Sequence, residues 1–430
     1  MKKTGLIVLL VVLFGILPMK AQIRGNNINV LVTPDHQDWK YEVGQTAQFK
    51  VCVLKSSAQL DNVTVDYEAG PEMYPEVKKQ GVLLKDGTMT WKAKMNKPGF
   101  YRLTVTAHVG DKEYKGSCTA AFSPEKLKPT TVEPKDFDQF WTKTLEEARW
   151  TVLNPQRELL PERSNEEVNV YQVSFQNIRW GSRTYGILSV PTKPGKYPAL
   201  LRVPGAGVRP YSGDTYTAPG KAIVLEIGIH GVDVTQPQVF YDNLMNGALN
   251  CYWNFGMESR DDSYYKRVVV GCVRAVDYIA SLPEWDGKTI GVTGASQGGF
   301  LSYATAALDK RISFVAAVHP ALCDHTASLQ GVACGWPHYF YWNKGKGVEK
   351  QVETSRYYDG VNFVRRIQCP TWVSFGYNDD VVPPTTAYAT YNTLTCPKTL
   401  SVYQQTAHFW YQEQWDEWQA WMQKQLGVKN

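Results

Sequence analysis

Two unlike patterns in one chain predict an all-β region followed by an α/β region: an immunoglobulin-like sandwich, then a mostly parallel sheet with helices on both faces. Residues 22 to 124 carry short β-branched and aromatic runs that alternate in part. Residues 125 to 430 alternate strand-like runs with amphipathic helices. Inside the second region one serine stands among four glycines, in "TIGVTGASQGGF" (289–300), between a strand and a helix.

The chain has 430 residues, more than one ordinary core holds. Its first 21 residues belong to neither region. Lys2 and Lys3 precede an apolar run from Leu6 to Leu17, and Ala21 offers a small residue before Gln22, the pattern of a secretory signal peptide. The run is too short for an ordinary spanning helix. A periplasmic or secreted protein is expected, with no membrane span after cleavage. The mature chain then has 43 basic and 41 acidic residues, a formal charge of +2. No basic cluster interleaved with aromatics occurs, which argues against a nucleic-acid partner. All eight cysteines fall after Ala21, and export permits disulfides. Cys52 and Cys118 both lie in strand-like segments; they either pair or remain two buried thiols. No CxxC supports a zinc ribbon or a redox motif.

In the first region the strands are "AQFKVCVL" (47–54), "NVTVDY" (62–67), "TMTWKAK" (88–94) and "YRLTVTAHV" (101–109). Asp86-Gly87 and Gly110-Asp111 are hairpin-type turn signals between such runs. The spacing suggests a sandwich that acts as a spacer or binds carbohydrate. "SPEKLKPTTVEPK" (123–135), with three prolines, reads as a linker.

The second region opens on a helix at 136–150. Strands are expected at 168–176, 184–191, 198–203 and 222–227. The helix at 264–282 aligns Val269, Cys272, Val273, Val276 and Ile279 on one face. Further strands are expected at 289–294, 314–319, 371–376 and 399–403. The closing helix (410–426) stacks Trp415, Trp418 and Met422 at helical spacing, which reads as core packing rather than as a sugar platform. Strands alternating with helices mean a mostly parallel sheet.

Gly294-Ala295-Ser296-Gln297-Gly298 fits the G-x-S-x-G elbow of α/β hydrolases, a strained strand-to-helix turn that projects a nucleophilic serine above the sheet. Strand and helix approach closely there, so the flanking positions must lack side chains. A serine hydroxyl needs a base, and the base an orienting acid. On this fold the order is Ser, acid, His. Of seven histidines only His408 comes late enough, after the last strand. The acid lies in "GYNDDVVPP", where spacing leaves Asp379 and Asp380 both open. One oxyanion N–H belongs to Gln297, directly after the nucleophile; the other comes from the loop after an earlier strand, in Gly205-Ala206-Gly207. That G-x-G also opens like a dinucleotide fingerprint, but Pro210 occupies the third glycine position.

Several segments together resemble the acetyl xylan esterase / cephalosporin C deacetylase family, carbohydrate esterase family seven. They are "DFDQFW", "YYKRVVVGCVRAVDYIASLPEWDGKTIGVTGASQGG", "HPALCD", "YYDGVNFVRRIQCPTWVSFGYNDDVVPP" and "YNTLTCPKTLSVY". The resemblance spans residues 133 to 420. It implies an α/β hydrolase fold and a serine esterase that deacetylates xylan or xylo-oligosaccharides, with no metal or organic cofactor. It places the acid at Asp379, three residues after Gly376, and the second oxyanion donor at Ala206. It also allows a homo-oligomer, since the family can form a ring-shaped hexamer. Three departures stand out: Gly228-Ile229-His230-Gly231 replaces the family's Arg-Gly-Gln-Gly, Phe409 follows His408 in place of Glu, and the β-rich region is extra. Large rings expected to wall the acyl pocket are Trp336, Phe409 and Trp410. Two other readings stand beside this one: an exported prolyl oligopeptidase-type peptidase, for which the first region is too short to be a propeller, and a carbohydrate-binding protein with an inactive hydrolase domain.

Overall fold

The structure is a computed structural model that describes residues 27–343 and 346–428. The expected signal peptide lies outside the described residues. The first region contains β1 (Ile28–Pro34), β2 (Lys40–Tyr41), β3 (Thr46–Lys55), β4 (Ala58–Gln59), β5 (Val63–Pro71), β6 (Val77–Leu84), β7 (Thr88–Lys94), β8 (Gly99–Val109) and β9 (Lys112–Phe122). In one sheet β3 is flanked by β1 and β7, with β4 paired to its end; the other runs β2-β9-β8-β5-β6. Period-two burial joins them into one core. Along β3, Ala47, Phe49, Val51 and Val53 are buried; along β8, Leu103, Val105 and Ala107 are buried.

That period separates the two cysteines considered as a pair. Cys118 is buried opposite Leu103, on the core face of its sheet. Cys52 lies between the inward Val51 and Val53, so it points to the other face. Both are free thiols. The two turn signals also part company. Gly110-Asp111 closes a two-residue hairpin between β8 and β9, with Val109 opposite Lys112. Asp86-Gly87 instead carries the chain from β6 in one sheet to β7 in the other.

The segment 123–135 is docked rather than free: the Thr130 and Thr131 backbone N–H groups donate to the buried Asp324 carboxylate at 2.9–3.0 Å. Then come α1 (Phe137–Arg149), β10 (Gln156–Leu159), β11 (Val168–Gln176), β12 (Arg183–Pro191), β13 (Tyr197–Arg202), β14 (Ile223–Gly228), α2 (Gln238–Asn246) and α3 (Tyr264–Ser281). Next are β15 (Trp285–Ala295), α4 (Gln297–Leu308), β16 (Ile312–Val318), α5 (Glu349–Arg356), α6 (Gly360–Val364), β17 (Thr371–Phe375), α7 (Pro384–Thr393), β18 (Lys398–Val402) and α8 (Gln412–Gln425). The sheet order is β10-β11-β12-β14-β13-β15-β16-β17-β18. It is antiparallel from β10 to β14 and parallel from there to β18.

Both faces of this sheet are covered. Along β16, Val315 and Ala317 join the core that holds α3, α4 and α6, while Phe314, Ala316 and Val318 join Trp418 and Met422 of α8. Parallel strands send all their C-terminal ends to one edge. Ser296, His319, Asp379 and His408 follow the ends of β15, β16, β17 and β18, four neighbouring strands. Residues as far apart as 112 positions thereby meet.

Candidate active site

β15 ends at Ala295, and Ser296 turns the chain into α4 at φ +60°, ψ −123°. A non-glycine residue at positive φ is strained and persists only where its surroundings enforce it. Here the Ser296 N–H donates to the Val318 carbonyl at 2.8 Å, and the Ser296 carbonyl accepts from Gly299 (2.9 Å) and Ala321 (3.0 Å). The glycines leave room for this. A Cβ on Gly294 would sit 2.5 Å from the Val203 carbonyl oxygen and 2.7 Å from the Gly298 backbone; one on Gly298 would also sit 2.5 Å from Val203 O.

The Ser296 hydroxyl is 3.1 Å from His408 Nε2, and His408 Nδ1 is 2.8 Å from Asp379 Oδ2. A carboxylate only accepts, so Nδ1 carries the proton and Nε2 is free to accept from Ser296. Asp379 is buried, and its other oxygen accepts from the Val381 (2.9 Å) and Val382 (2.8 Å) N–H groups. Asp380 is exposed on the outer side of the same turn. The geometry thus joins Asp379, not Asp380, to the histidine.

Gln297 opens α4, and its buried side chain joins the elbow to the loop after β13. Its Oε1 accepts from the Tyr252 and Tyr265 hydroxyls at 2.8 Å each, and its Nε2 donates to the Pro204 (3.3 Å) and Gly205 (3.4 Å) carbonyls. Ala206 lies in that loop, and Gly205 packs so closely that its added Cβ would be 3.2 Å from Ala295 O. His230 fastens the far side of the loop. Its Nε2–H donates to the Gly207 carbonyl at 3.0 Å, and its Nδ1 accepts from the Tyr264 hydroxyl at 2.7 Å. Accepting at Nδ1 needs a neutral ring, and burial holds its pKa down to about 4. The residue that departs from the family motif is therefore occupied in holding this loop.

Ser296 and His408 open into a cleft of about 840 Å³, also lined by Ala206, His319, Trp336 and Trp410. Such a volume suits an extended small ligand. Trp336 packs against Trp253, with ring centroids 5.2 Å apart. Phe409 does not line the cleft: its neighbours His408 and Trp410 take that side, leaving its ring 46 % exposed against Tyr411. The closing helix behaves differently from the expectation of pure packing. Trp418 and Met422 are buried, but Trp415 and Trp418 also border the cleft. Trp415 lies 6.2 Å from Trp410 and 5.9 Å from Tyr216, centroid to centroid. Tyr216, Arg209 and Trp415 were not expected at the site. Tyr216 and Arg209 lie in the loop between β13 and β14, where nothing local marks them.

His319 is buried beside the acid and the base. Its Nδ1 is 3.6 Å from Asp379 Oδ2, beyond hydrogen-bond reach, and burial pushes its pKa down to about 4. Ligand atoms of His319, Asp379 and His408 lie within 4.8 Å of one another. A cation could use them only by breaking the His408–Asp379 hydrogen bond.

A family model described as acetyl xylan esterase (AXE1) matches residues 124–425. The acetyl esterase Axe7A of Xylanibacter ruminicola is 39 % identical over 402 residues, covering 92 % of this chain and 90 % of that protein. An acetyl xylan esterase from Paenibacillus sp. R4 has a similar solved structure, at 27 % identity and a TM-score of 0.62. Acetyl xylan esterase 1 from Thermoanaerobacterium sp. JW/SL YS485 follows at 26 % and 0.60. Each of these two matches covers 71 % of this chain and 98 % of the other. The shared architecture is the α/β hydrolase fold. Because the matched segment contains the whole nine-stranded sheet and every residue of the Ser296–His408–Asp379 chain, the protein belongs to the acetyl xylan esterase family and is a carboxylic ester hydrolase.

Proposed function

We propose that the protein is an exported deacetylase acting on acetylated xylan or xylo-oligosaccharides through a Ser296–His408–Asp379 triad. The observation that carries this reading is the continuous hydrogen-bonded chain from Ser296 Oγ through His408 to buried Asp379, on the floor of an open cleft. Ser296 Oγ attacks the acetyl carbonyl while His408 Nε2 takes its proton. The carbonyl oxygen becomes an oxyanion, stabilised by the Gln297 and Ala206 backbone N–H groups; one such donor is worth about 10²–10³ in rate. His408 then passes the proton to the leaving sugar oxygen, and the acetyl group remains on Ser296. Water, deprotonated by the same imidazole, releases acetate and restores the serine. Asp379 keeps the ring in the required tautomer and stabilises its cationic form. Trp336 and Trp410 limit the acyl group, and the wider cleft receives the sugar.

Export rests on residues 1–21 as read from the sequence; among the described residues no helix is long and apolar enough to cross a membrane. The test is acetate release from acetylated xylo-oligosaccharides and a chromogenic acetate ester, beside a peptide substrate. Both acetyl substrates should turn over and the peptide should not. Ser296→Ala should lose about 10⁶ in turnover. A variant that keeps a tenth of the wild-type rate would remove Ser296 from its role, and preferred cleavage of the peptide would replace the deacetylase reading.

A further inference from the structure

The turn that carries Asp379 is held from outside its own domain. It leaves β17 at Gly376 and ends where α7 begins at Pro384. Two side chains of the β-rich region grip it, and a third fastens the start of α7 just beyond it. Arg102 on β8 donates through one terminal nitrogen to the backbone carbonyls of Asp379 (2.8 Å) and Tyr377 (3.1 Å), and to Glu72 Oε1 (3.1 Å). Its Nε donates to Thr119 Oγ1 at 2.8 Å, and the Thr119 hydroxyl donates to Asn378 Oδ1 at 3.1 Å. Glu72 Oε2 accepts from the Thr385 N–H (3.2 Å) and hydroxyl (2.6 Å), past the other end of the turn. Arg102 and Thr119 are direct cross-strand partners, so the sheet itself sets their spacing. Both project from the sheet face opposite the inward Leu103 and Cys118. Phe100 seals the contact, its ring 5.1 Å from that of Tyr377, and both rings are buried.

The geometry points to Arg102, braced by Glu72 and Thr119, as a positioning residue for the catalytic acid, which makes the β-rich region part of the catalytic apparatus rather than a spacer. All three residues precede the segment matched by the family model, which begins at residue 124. The physical reason is the demand on Asp379. Its Oδ2 must meet His408 Nδ1 at hydrogen-bond distance, yet it sits on a turn whose backbone carbonyls need partners. Each carbonyl that Arg102 satisfies removes a way for the turn to tilt. The arrangement has a cost. Glu72 is fully buried, and burial pushes its pKa up to about 7 despite the adjacent guanidinium. A carboxyl that costly to bury is retained where both of its oxygens fix something, here Arg102 and the start of α7.

This inference rests on the proposed role of Asp379, and the experiment separates the two. Turnover of a chromogenic acetate ester is measured in the full chain, well below the unfolding temperature, on variants shown to be folded by circular dichroism. Arg102→Met should lower kcat by about 10- to 100-fold with KM unchanged, the scale of a displacement near 1 Å. Made in an Asp379→Asn background, the same change should cost no more than about twofold further, because its whole effect runs through that carboxylate. A merely structural arginine would lower the melting temperature while sparing kcat, or would cost the same in both backgrounds; either result overturns the inference. If Arg102→Met does not fold, Thr119→Val carries the test, since it keeps the volume and removes the hydroxyl linking Arg102 to Asn378. Its kcat should fall with KM unchanged, and that fall should vanish in Asp379→Asn; wild-type kcat in the folded variant refutes the inference. Full activity in Asp379→Asn alone would instead remove the triad reading.

Discussion

Asp379→Asn changes one atom, and the structure states which way the new amide must face. Asp379 Oδ1 accepts two backbone N–H groups, from Val381 and Val382, and an amide nitrogen cannot accept. The asparagine oxygen is therefore held at the Oδ1 position. Its NH₂ takes the place of Oδ2, 2.8 Å from His408 Nδ1. Two donors cannot face each other, so His408 gives up the Nδ1 proton and carries it on Nε2. That nitrogen can then no longer accept from Ser296 Oγ, and the imidazolium formed in the transition state loses its buried counter-charge. The same replacement in an analogous triad costs about 10⁴ in kcat, equivalent to roughly 5.5 kcal/mol of transition-state stabilisation. Steady-state hydrolysis of a chromogenic acetate ester at neutral pH reads the effect. KM should change little, because the carboxylate touches no substrate. Asp380→Asn provides the comparison: its side chain is exposed, so kcat should stay near wild type. A loss under about tenfold for Asp379→Asn, or a larger loss for Asp380→Asn, would refute the tautomer argument.

Gln297→Leu keeps the backbone donor but leaves the Tyr252 and Tyr265 hydroxyls and the Pro204 and Gly205 carbonyls without their partner; each unmet buried group costs about 1–3 kcal/mol, so both the urea midpoint and kcat should fall, and an unchanged midpoint contradicts the network. Acetate esters should be cleaved faster than butyrate and octanoate esters, with discrimination of about 1–3 kcal/mol per added methylene. Trp410→Ala should relax that preference, and equal kcat/KM across the three esters would mean an open acyl site. Burial holds the imidazoles of His230 and His319 down to about 4 and that of His325 down to about 3. Unfolded, each takes up a proton near the ordinary value of about 6.5, so between these values each ring contributes stability that is lost as pH drops, whereas the carboxyls that burial raises, Glu72, Asp324 and Asp359, contribute in the opposite sense. Between about pH 6.5 and pH 4 the urea midpoint of wild type should fall relative to that of His325→Gln; a pH-independent difference between the two would refute neutral burial of His325.

Sequence alone was enough wherever the governing interaction is local. The elbow was legible because its glycines answer to backbone crowding within a few residues, as at Gly294 and Gly298. Helix α3 was legible because one apolar stripe repeats along it, and the parallel strands because each is a short apolar run closed by turn residues. The order of serine, acid and histidine followed from the order of strand ends. Other features depend on partners the local pattern does not name. The separation of Cys52 from Cys118, left open in the sequence, follows from the registers of two strands in different sheets, with Cys118 on the core face and Cys52 turned away from it. Asp379 and Asp380 are adjacent and chemically alike; the direction of one turn, fastened by the Val381 and Val382 amides, sets them apart. Asp86-Gly87 marks a turn in any context, but which strands pair across it is settled by where β6 and β7 find apolar cover. Tyr216 and Trp415 lie about two hundred residues apart and meet only because the loop after β13 and helix α8 reach the same cleft. The grip of Arg102 on the Asp379 turn spans 277 residues. Local propensity acts over a turn or two of chain, whereas a hydrogen bond from the β-rich region to the turn after β17 exists only after the elements on both sides have packed and set the distance between them.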